Sequence, residues 1–151
     1  MGGQGWWDRT VEAGLMATAE ALYPVNTLGA PDWKQVDMVP RTLAWWAELP
    51  SRQRNQFRLL FGVVELIAPL LAFQVGRFSR LSPTRRLELL RRWRKSNLLP
   101  LKLIADSLKA STSMMYLSHP SALRYIGLYK AVHRPDDPFQ VEIRSGALEE
   151  E

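Results

Sequence analysis

The side chains that most often carry catalysis are few in this sequence and stand apart from one another. His119 precedes a proline and His133 precedes a turn, and neither has a second ligand at metal-binding spacing. The absence of cysteine excludes thiolate zinc sites, iron–sulfur clusters held by Cys and disulfides. No serine or threonine stands in a nucleophile elbow, and no two carboxylates form an obvious acid–base pair. We therefore expect a chain that is not an enzyme by itself.

The segment "GGQG" at positions 2–5 is the only glycine-rich run that invites comparison with a phosphate loop. A phosphate loop joins a strand to a helix, whereas this segment lies at the very start of the sequence. The sequence therefore predicts no cofactor in this chain.

The positive charge is concentrated in one segment. Six basic residues and one acid, Glu88, lie between positions 85 and 95, and this excess of five equals the whole net charge of +5. Such a stripe favours an acidic protein, a membrane surface or nucleic acid as partner. Nucleic acid is disfavoured because no recognition motif accompanies the stripe. The basic residues are Arg85, Arg86, Arg91, Arg92, Arg94 and Lys95.

Tryptophan is unusually frequent, with six in 151 residues, and this residue is enriched at interfaces. We predict that Trp93 lies on the border between the apolar and basic faces of its helix and anchors a protein partner. We expect Arg91, Arg92 and Arg94 to face that partner, together with the aromatic residues Tyr116 and Tyr125.

The stretch "LLFGVVELIAPLLAFQVGRF", positions 59–78, is long enough to span a membrane but contains Glu65 and Pro69. These two residues share one helical stripe with small or polar side chains, which a defective membrane span would not explain. We predict a buried central helix in which Glu65 is hydrogen-bonded to an arginine or a backbone amide, because an unpaired buried carboxylate is costly. The stripe comprises Arg58, Gly62, Glu65, Pro69, Ala72 and Gly76.

The elements that must position these residues are helices. We predict an all-α, single-domain helical bundle of about five to six helices with extended N- and C-terminal arms. The core covers about residues 8–130, and residues 131–151 form the C-terminal arm. The predicted helices cover residues 8–23, 33–48 with an interruption at Pro40, a long helix opened by Ser51, 82–96 with Ser82 as N-cap, 97–117 and 121–129.

Several blocks of the sequence resemble a known family. The blocks are "AEALYP" followed by "GAPD", the long segment "FRLLFGVVELIAPLLAFQVGRFSRLSPTRRLELLRRWRKS", and "MMYLSHPSALRYIGLYK". Together they cover about residues 15–130. They resemble the small, gamma-type subunits of flavin-dependent dehydrogenases of the glucose–methanol–choline class, of which gluconate 2-dehydrogenase is a member, and the N-terminal region of long-chain fatty alcohol oxidases. The residues that match the family pattern are Glu65, Pro69, Arg77, Phe78, Leu81, Arg86, Trp93 and Ser96.

The resemblance implies a non-catalytic small subunit that binds and stabilises a large FAD-dependent alcohol dehydrogenase or oxidase. FAD is then expected in the partner. Two departures stand out: Leu128 separates Gly127 from Tyr129, and no twin-arginine signal opens the sequence, so we expect a cytoplasmic protein. The alternative is a membrane-surface or membrane-inserted helical protein that uses residues 59–78 and the basic helix after them, at the cytoplasmic face of the membrane.

Overall fold

The computed structural model describes residues 3–71 and 76–127. In this part of the chain every regular element is helical, which confirms the all-α bundle with about six helices. The predicted C-terminal arm at 131–151 and His133 lie outside the described residues. The elements are α1 (Gly3–Leu22), α2 (Met38–Glu48), α3 (Ser51–Leu71), a 3₁₀ turn (Phe78–Arg80), α4 (Pro83–Arg94), α5 (Leu99–Leu117) and α6 (Pro120–Tyr125).

The first helix begins at Gly3, so residues 3–7 are helical where the sequence predicted an extended arm. The extra turn is held by tertiary packing, because the Trp7 ring lies directly against Gly62 of α3. Thr10 does not cap the helix. It lies fully buried inside it, and its hydroxyl donates to the carbonyl oxygen of Trp6 at 3.0 Å.

The second helix begins at Met38, five residues later than predicted. Asp37, immediately before it, has a left-handed backbone with φ of 48°, which separates the preceding turns from the helix. Pro40 then lies in the first turn, where a backbone N–H would have no helical partner. The predicted interruption at Pro40 is therefore wrong, since the proline is tolerated at the start of the helix.

The core forms where α1 crosses α3. Val11 and Leu15 of α1 and Phe61 and Val64 of α3 are all less than 3% exposed. The two backbones approach closely at Gly14, where an added Cβ atom would collide with the carbonyl oxygen of Phe61 and lie 3.2 Å from the Cβ atom of Glu65. A glycine is thus required at position 14 by contact with another helix.

Replacing Gly14 by alanine is expected to lower the free energy of unfolding by about 1–2 kcal/mol. Alanine gains up to about 1 kcal/mol in helix propensity, but overpacking against backbone costs about 1–3 kcal/mol. Urea unfolding followed by circular dichroism measures the difference. Gly5→Ala is the matched control on the same helix, because a Cβ atom added at position 5 would have no neighbour within 4 Å. If Gly14→Ala and Gly5→Ala change the free energy of unfolding equally, the close approach of α1 and α3 at Gly14 does not restrict the residue at that position.

The third helix is buried on the side opposite to the one its composition favours. The members of the small and polar stripe that belong to α3 face inward: Gly62 contacts Trp7, Arg58 forms an ion pair with Asp8, and Glu65 is fully buried. Gly76 lies beyond the helix and is exposed, and Ala72 lies outside the described residues. The outer face carries Leu59, Ile67 and Leu70, which are 42–62% exposed. The prediction of a buried central helix is therefore confirmed for the inner side of α3, whereas its outer apolar face is exposed.

Candidate functional site

The basic helix α4 starts as predicted. Ser82 caps it by accepting a hydrogen bond from the Arg85 backbone N–H at 3.4 Å, and Pro83 occupies the first helical position. Its buried face consists of Arg86, Leu89, Leu90 and Trp93, whereas Leu87 is only half-buried.

Trp93 belongs to the hydrophobic core and is 5% exposed. This corrects the prediction that Trp93 anchors a partner from the border of the helix. The physical reason is the helical spacing from Leu89 and Leu90, which places Trp93 at the centre of the apolar face. Of the six tryptophans, only Trp6 is exposed, at 45%. The high tryptophan content therefore serves mostly the interior.

Arg86 lies inside the bundle, although the sequence placed it in the basic surface stripe. Its side chain is 8% exposed and forms an ion pair with Glu20 of α1, with 2.6 Å between Nη1 and Oε2. The guanidinium also donates to three carbonyl oxygens, those of Leu81 at 2.8 Å, Ser79 at 2.8 Å and Ala17 at 3.3 Å. Arg86 therefore joins α1, the 3₁₀ turn and α4.

The spacing of residues 86, 90 and 93 was the sequence signal for this burial, because these positions share one helical face. Because of its charge, Arg86 was counted among the surface residues of the basic stripe. Its presence among the residues that carry the family resemblance thus coincides with a role in holding the fold.

Glu65 is fully buried and accepts two hydrogen bonds from Ser79. The backbone N–H donates to Oε2 at 2.9 Å and the hydroxyl donates to Oε1 at 2.5 Å. This confirms that Glu65 is buried and bonded to a backbone amide. The carbonyl oxygen of the same Ser79 accepts a hydrogen bond from Arg86. Both charged residues therefore bind Ser79, in the turn between α3 and α4.

The other residues of the family pattern are also structural in this chain. Pro69 is buried within α3, Phe78 is fully buried, and Arg77 is half-buried in front of the 3₁₀ turn. Ser96 accepts a hydrogen bond from the Leu98 backbone N–H at 3.1 Å and so shapes the connection between α4 and α5.

Tyr116 and Tyr125, both predicted to contact a partner, differ in position. Tyr116 is 7% exposed, stacks on Tyr23 with 4.2 Å between ring centroids, and donates to the Pro31 carbonyl oxygen at 2.8 Å. Burial, with smaller effects of nearby tyrosines and Asp32, raises the pKa of the Tyr116 phenol. Tyr116 is therefore a core residue, which corrects its assignment to the partner surface.

Tyr125 is 48% exposed at the end of α6, and its hydroxyl donates to the Leu28 carbonyl oxygen at 3.3 Å. It lines an open groove of about 570 Å³ between α6 and the loop before α2. The groove is lined by Gly29, Pro31, Gln35, Ser121, Arg124 and Tyr125.

Arg91, Arg92 and Arg94 all lie on the surface, as predicted. Arg94 forms an exposed ion pair with Asp106 of α5, with 3.1 Å between Nε and Oδ1. Arg91 and Arg92 form no ion pair with any residue of the described ranges 3–71 and 76–127. These two arginines are therefore open to an acidic partner.

A second apolar surface, which the sequence did not indicate, runs along α5. Leu99, Leu103, Met114 and Leu117 are 44–65% exposed and recur on a single helical face. We call these four residues the α5 stripe. With Ala110 between them, they extend over about 27 Å of helix.

Groups that could support chemistry are scarce in the part of the chain that the structure describes. Within it, no cluster of three or more His, Cys, Asp or Glu side chains could hold a metal ion. Within the same residues, no helix is both long and apolar enough to cross a membrane.

No protein-family model matches the sequence, and neither a curated protein nor a solved structure matches the chain. The resemblance to gamma-type small subunits therefore stays a prediction.

Proposed function

We propose that this chain is a non-catalytic small subunit that binds and stabilises a large FAD-dependent alcohol dehydrogenase or oxidase. The α5 stripe is the observation that supports a binding role. Four large apolar side chains on one helical face, in two pairs and each at least 44% exposed, form the kind of surface that proteins cover with a partner. The family resemblance supplies the identity of that partner.

The pattern of the α5 stripe favours a protein rather than a lipid partner. Ser107 and Asp106 lie near its middle, and a mixed apolar and polar profile is typical of protein interfaces. Tyr125, half-exposed beside its groove, is a second candidate contact because tyrosine is enriched in interface hot spots. In this proposal the large subunit carries FAD, and this chain carries no cofactor.

The proposed location is the cytoplasm or the cytoplasmic face of the membrane. The sequence has no cysteine, so nothing in it favours an oxidising compartment.

Co-expression with a large flavoprotein encoded by the neighbouring gene tests the proposal. An affinity tag on this chain should retain a yellow complex with flavin absorbance, while the chain purified alone should remain colourless after FAD is added. The double substitution Met114→Ser/Leu117→Ser should reduce the retained flavin about tenfold or more, since buried leucine and methionine side chains each contribute about 1.5–3 kcal/mol.

The matched control is Leu59→Ser/Leu70→Ser, which removes two apolar side chains from α3 that are exposed at least as much as Met114 and Leu117. It should leave the flavin yield unchanged. Stoichiometric FAD binding by the isolated chain would contradict the proposal, as would normal recovery of the large subunit by the Met114→Ser/Leu117→Ser variant.

A further inference from the structure

The other exposed apolar surface covers the outer side of α3 and includes the residue just before α5. It is separate from the Met114–Leu117 end of the α5 stripe and comprises Leu59, Ile67, Leu70, Leu71 and Leu98, which are 42–63% exposed. We call it the α3 face. We propose that the α3 face docks the chain on an anionic membrane surface, with its helices lying in the plane of the membrane.

The residues of the α3 face form a continuous surface. Leu59, Ile67 and Leu70 recur on the outer side of α3, where half-buried Val63 and Leu66 fill the intervals. From position 59 to position 70 this face extends over about 17 Å.

The surface continues from α3 onto α5. Leu71 at the end of α3 and Leu98 before α5 line one cavity of about 270 Å³, together with Arg92 of α4. The apolar face and the basic helix therefore meet at this end of the bundle.

The charges at this end are of one sign. Between positions 89 and 105 the sequence contains five basic residues and no acid. Arg94 is paired with Asp106, whereas Arg91, Arg92, Lys95 and Lys102 are exposed and make no ion pair with the residues that the structure describes. The acids that flank this segment are exposed Glu88 on α4 and half-buried Asp106 on α5. Arg92, which lines the cavity with Leu71 and Leu98, and three further exposed cations of the same segment are complementary, together with the exposed aliphatic side chains, to anionic headgroups over acyl chains.

This charge pattern favours lipid over a protein partner for the α3 face. A protein would have to supply several carboxylates around an apolar depression. An anionic leaflet offers negative headgroups and apolar acyl chains over its whole surface. Since no helix of the described residues could cross a membrane, the binding would be superficial. Its apolar part would insert shallowly while the cations remain at headgroup depth.

Vesicle co-sedimentation with the full-length chain tests the inference. The chain should sediment with vesicles of phosphatidylcholine and phosphatidylglycerol, and far less with phosphatidylcholine alone. Both Leu59→Ser/Leu70→Ser and Arg91→Ser/Arg92→Ser should weaken binding about tenfold or more. High salt should weaken binding of the wild type more than that of the arginine variant.

Two controls match these variants. Met114→Ser/Leu117→Ser removes an equal number of exposed apolar side chains, and Arg9→Ser/Lys34→Ser removes an equal charge from exposed positions away from α4. Both should bind vesicles as the wild type does. Circular dichroism should show the same helicity for all four variants.

The inference is overturned if the wild type does not sediment with anionic vesicles, or if the control pairs lose binding to the same extent. It is also overturned if Arg91→Ser/Arg92→Ser retains vesicle binding but loses the large flavoprotein, because α4 then contacts protein. The inference does not depend on the flavoprotein proposal. Substitution of Leu59 and Leu70 on α3 should affect only vesicle binding, and substitution of Met114 and Leu117 on α5 should affect only recovery of the large subunit.

Discussion

Arg86→Ala is expected to lower the free energy of unfolding by about 3 kcal/mol, because removing a buried charged donor leaves several buried acceptors unsatisfied. The substitution removes a guanidinium that is 8% exposed and paired with Glu20 at 2.6 Å. It also leaves the carbonyl oxygens of Leu81, Ser79 and Ala17 without their side-chain donor. Since Arg86 connects three elements, α1 and the 3₁₀ turn lose their common partner.

Urea unfolding of the purified chain, followed by circular dichroism, measures this effect. Arg85→Ala is the control, since the neighbouring residue carries the same charge on the exposed side of α4, and it should change stability by less than about 0.5 kcal/mol. Arg86→Lys should recover only part of the loss because lysine cannot reproduce the planar fork. Equal effects of Arg85→Ala and Arg86→Ala would contradict the role assigned to the buried arginine.

Glu65→Ala is expected to cost about 2–3 kcal/mol, because a buried donor left without a partner costs about 1–3 kcal/mol and the shorter side chain also leaves a cavity. The Ser79 backbone N–H and hydroxyl, at 2.9 and 2.5 Å from the carboxylate, would both lose their acceptor. The turn between α3 and α4 would lose its connection to α3.

Two comparisons separate the hydrogen bonds from the volume of the side chain. Glu65→Gln keeps the size and one acceptor oxygen, so it should cost about 1 kcal/mol. Glu12→Ala on the exposed side of α1 should have little effect. A thermal unfolding midpoint that is unchanged in Glu65→Ala would show that the buried carboxylate does not stabilise the turn.

Local signals in the sequence were sufficient to find the helices. The Ser82–Pro83 start of α4 follows from capping chemistry, and Pro100 likewise lies in the first turn of α5. The helix ends that were wrong, at Gly3 and Met38, depend on contacts with distant residues. Trp7 extends α1 because it packs on Gly62, and no local pattern contains that information.

The faces of the helices were harder to predict than the helices themselves. In α3 the helical stripe predicted the burial of Glu65, but almost every other side of the helix is apolar, so periodicity could not show that Leu70 is 62% exposed. In α4 the charge count placed Arg86 outside, although its spacing from Leu90 and Trp93 placed it inside. A charged residue on the apolar face of a helix can be predicted to be buried only when the residue that pairs with it is known. Glu20 is 66 positions away.

The exposed leucines on α3 and α5 have a consequence for the handling of this chain in solution. The exposed apolar side chains lie on those outer faces and affect solubility. Gly14, Glu65 and Arg86, which contribute to conformational stability, lie in the interior. Exposed apolar patches promote self-association when nothing covers them. Solubility and conformational stability are therefore separately determined in this chain. An uncovered chain can be fully folded and still aggregate as its concentration rises.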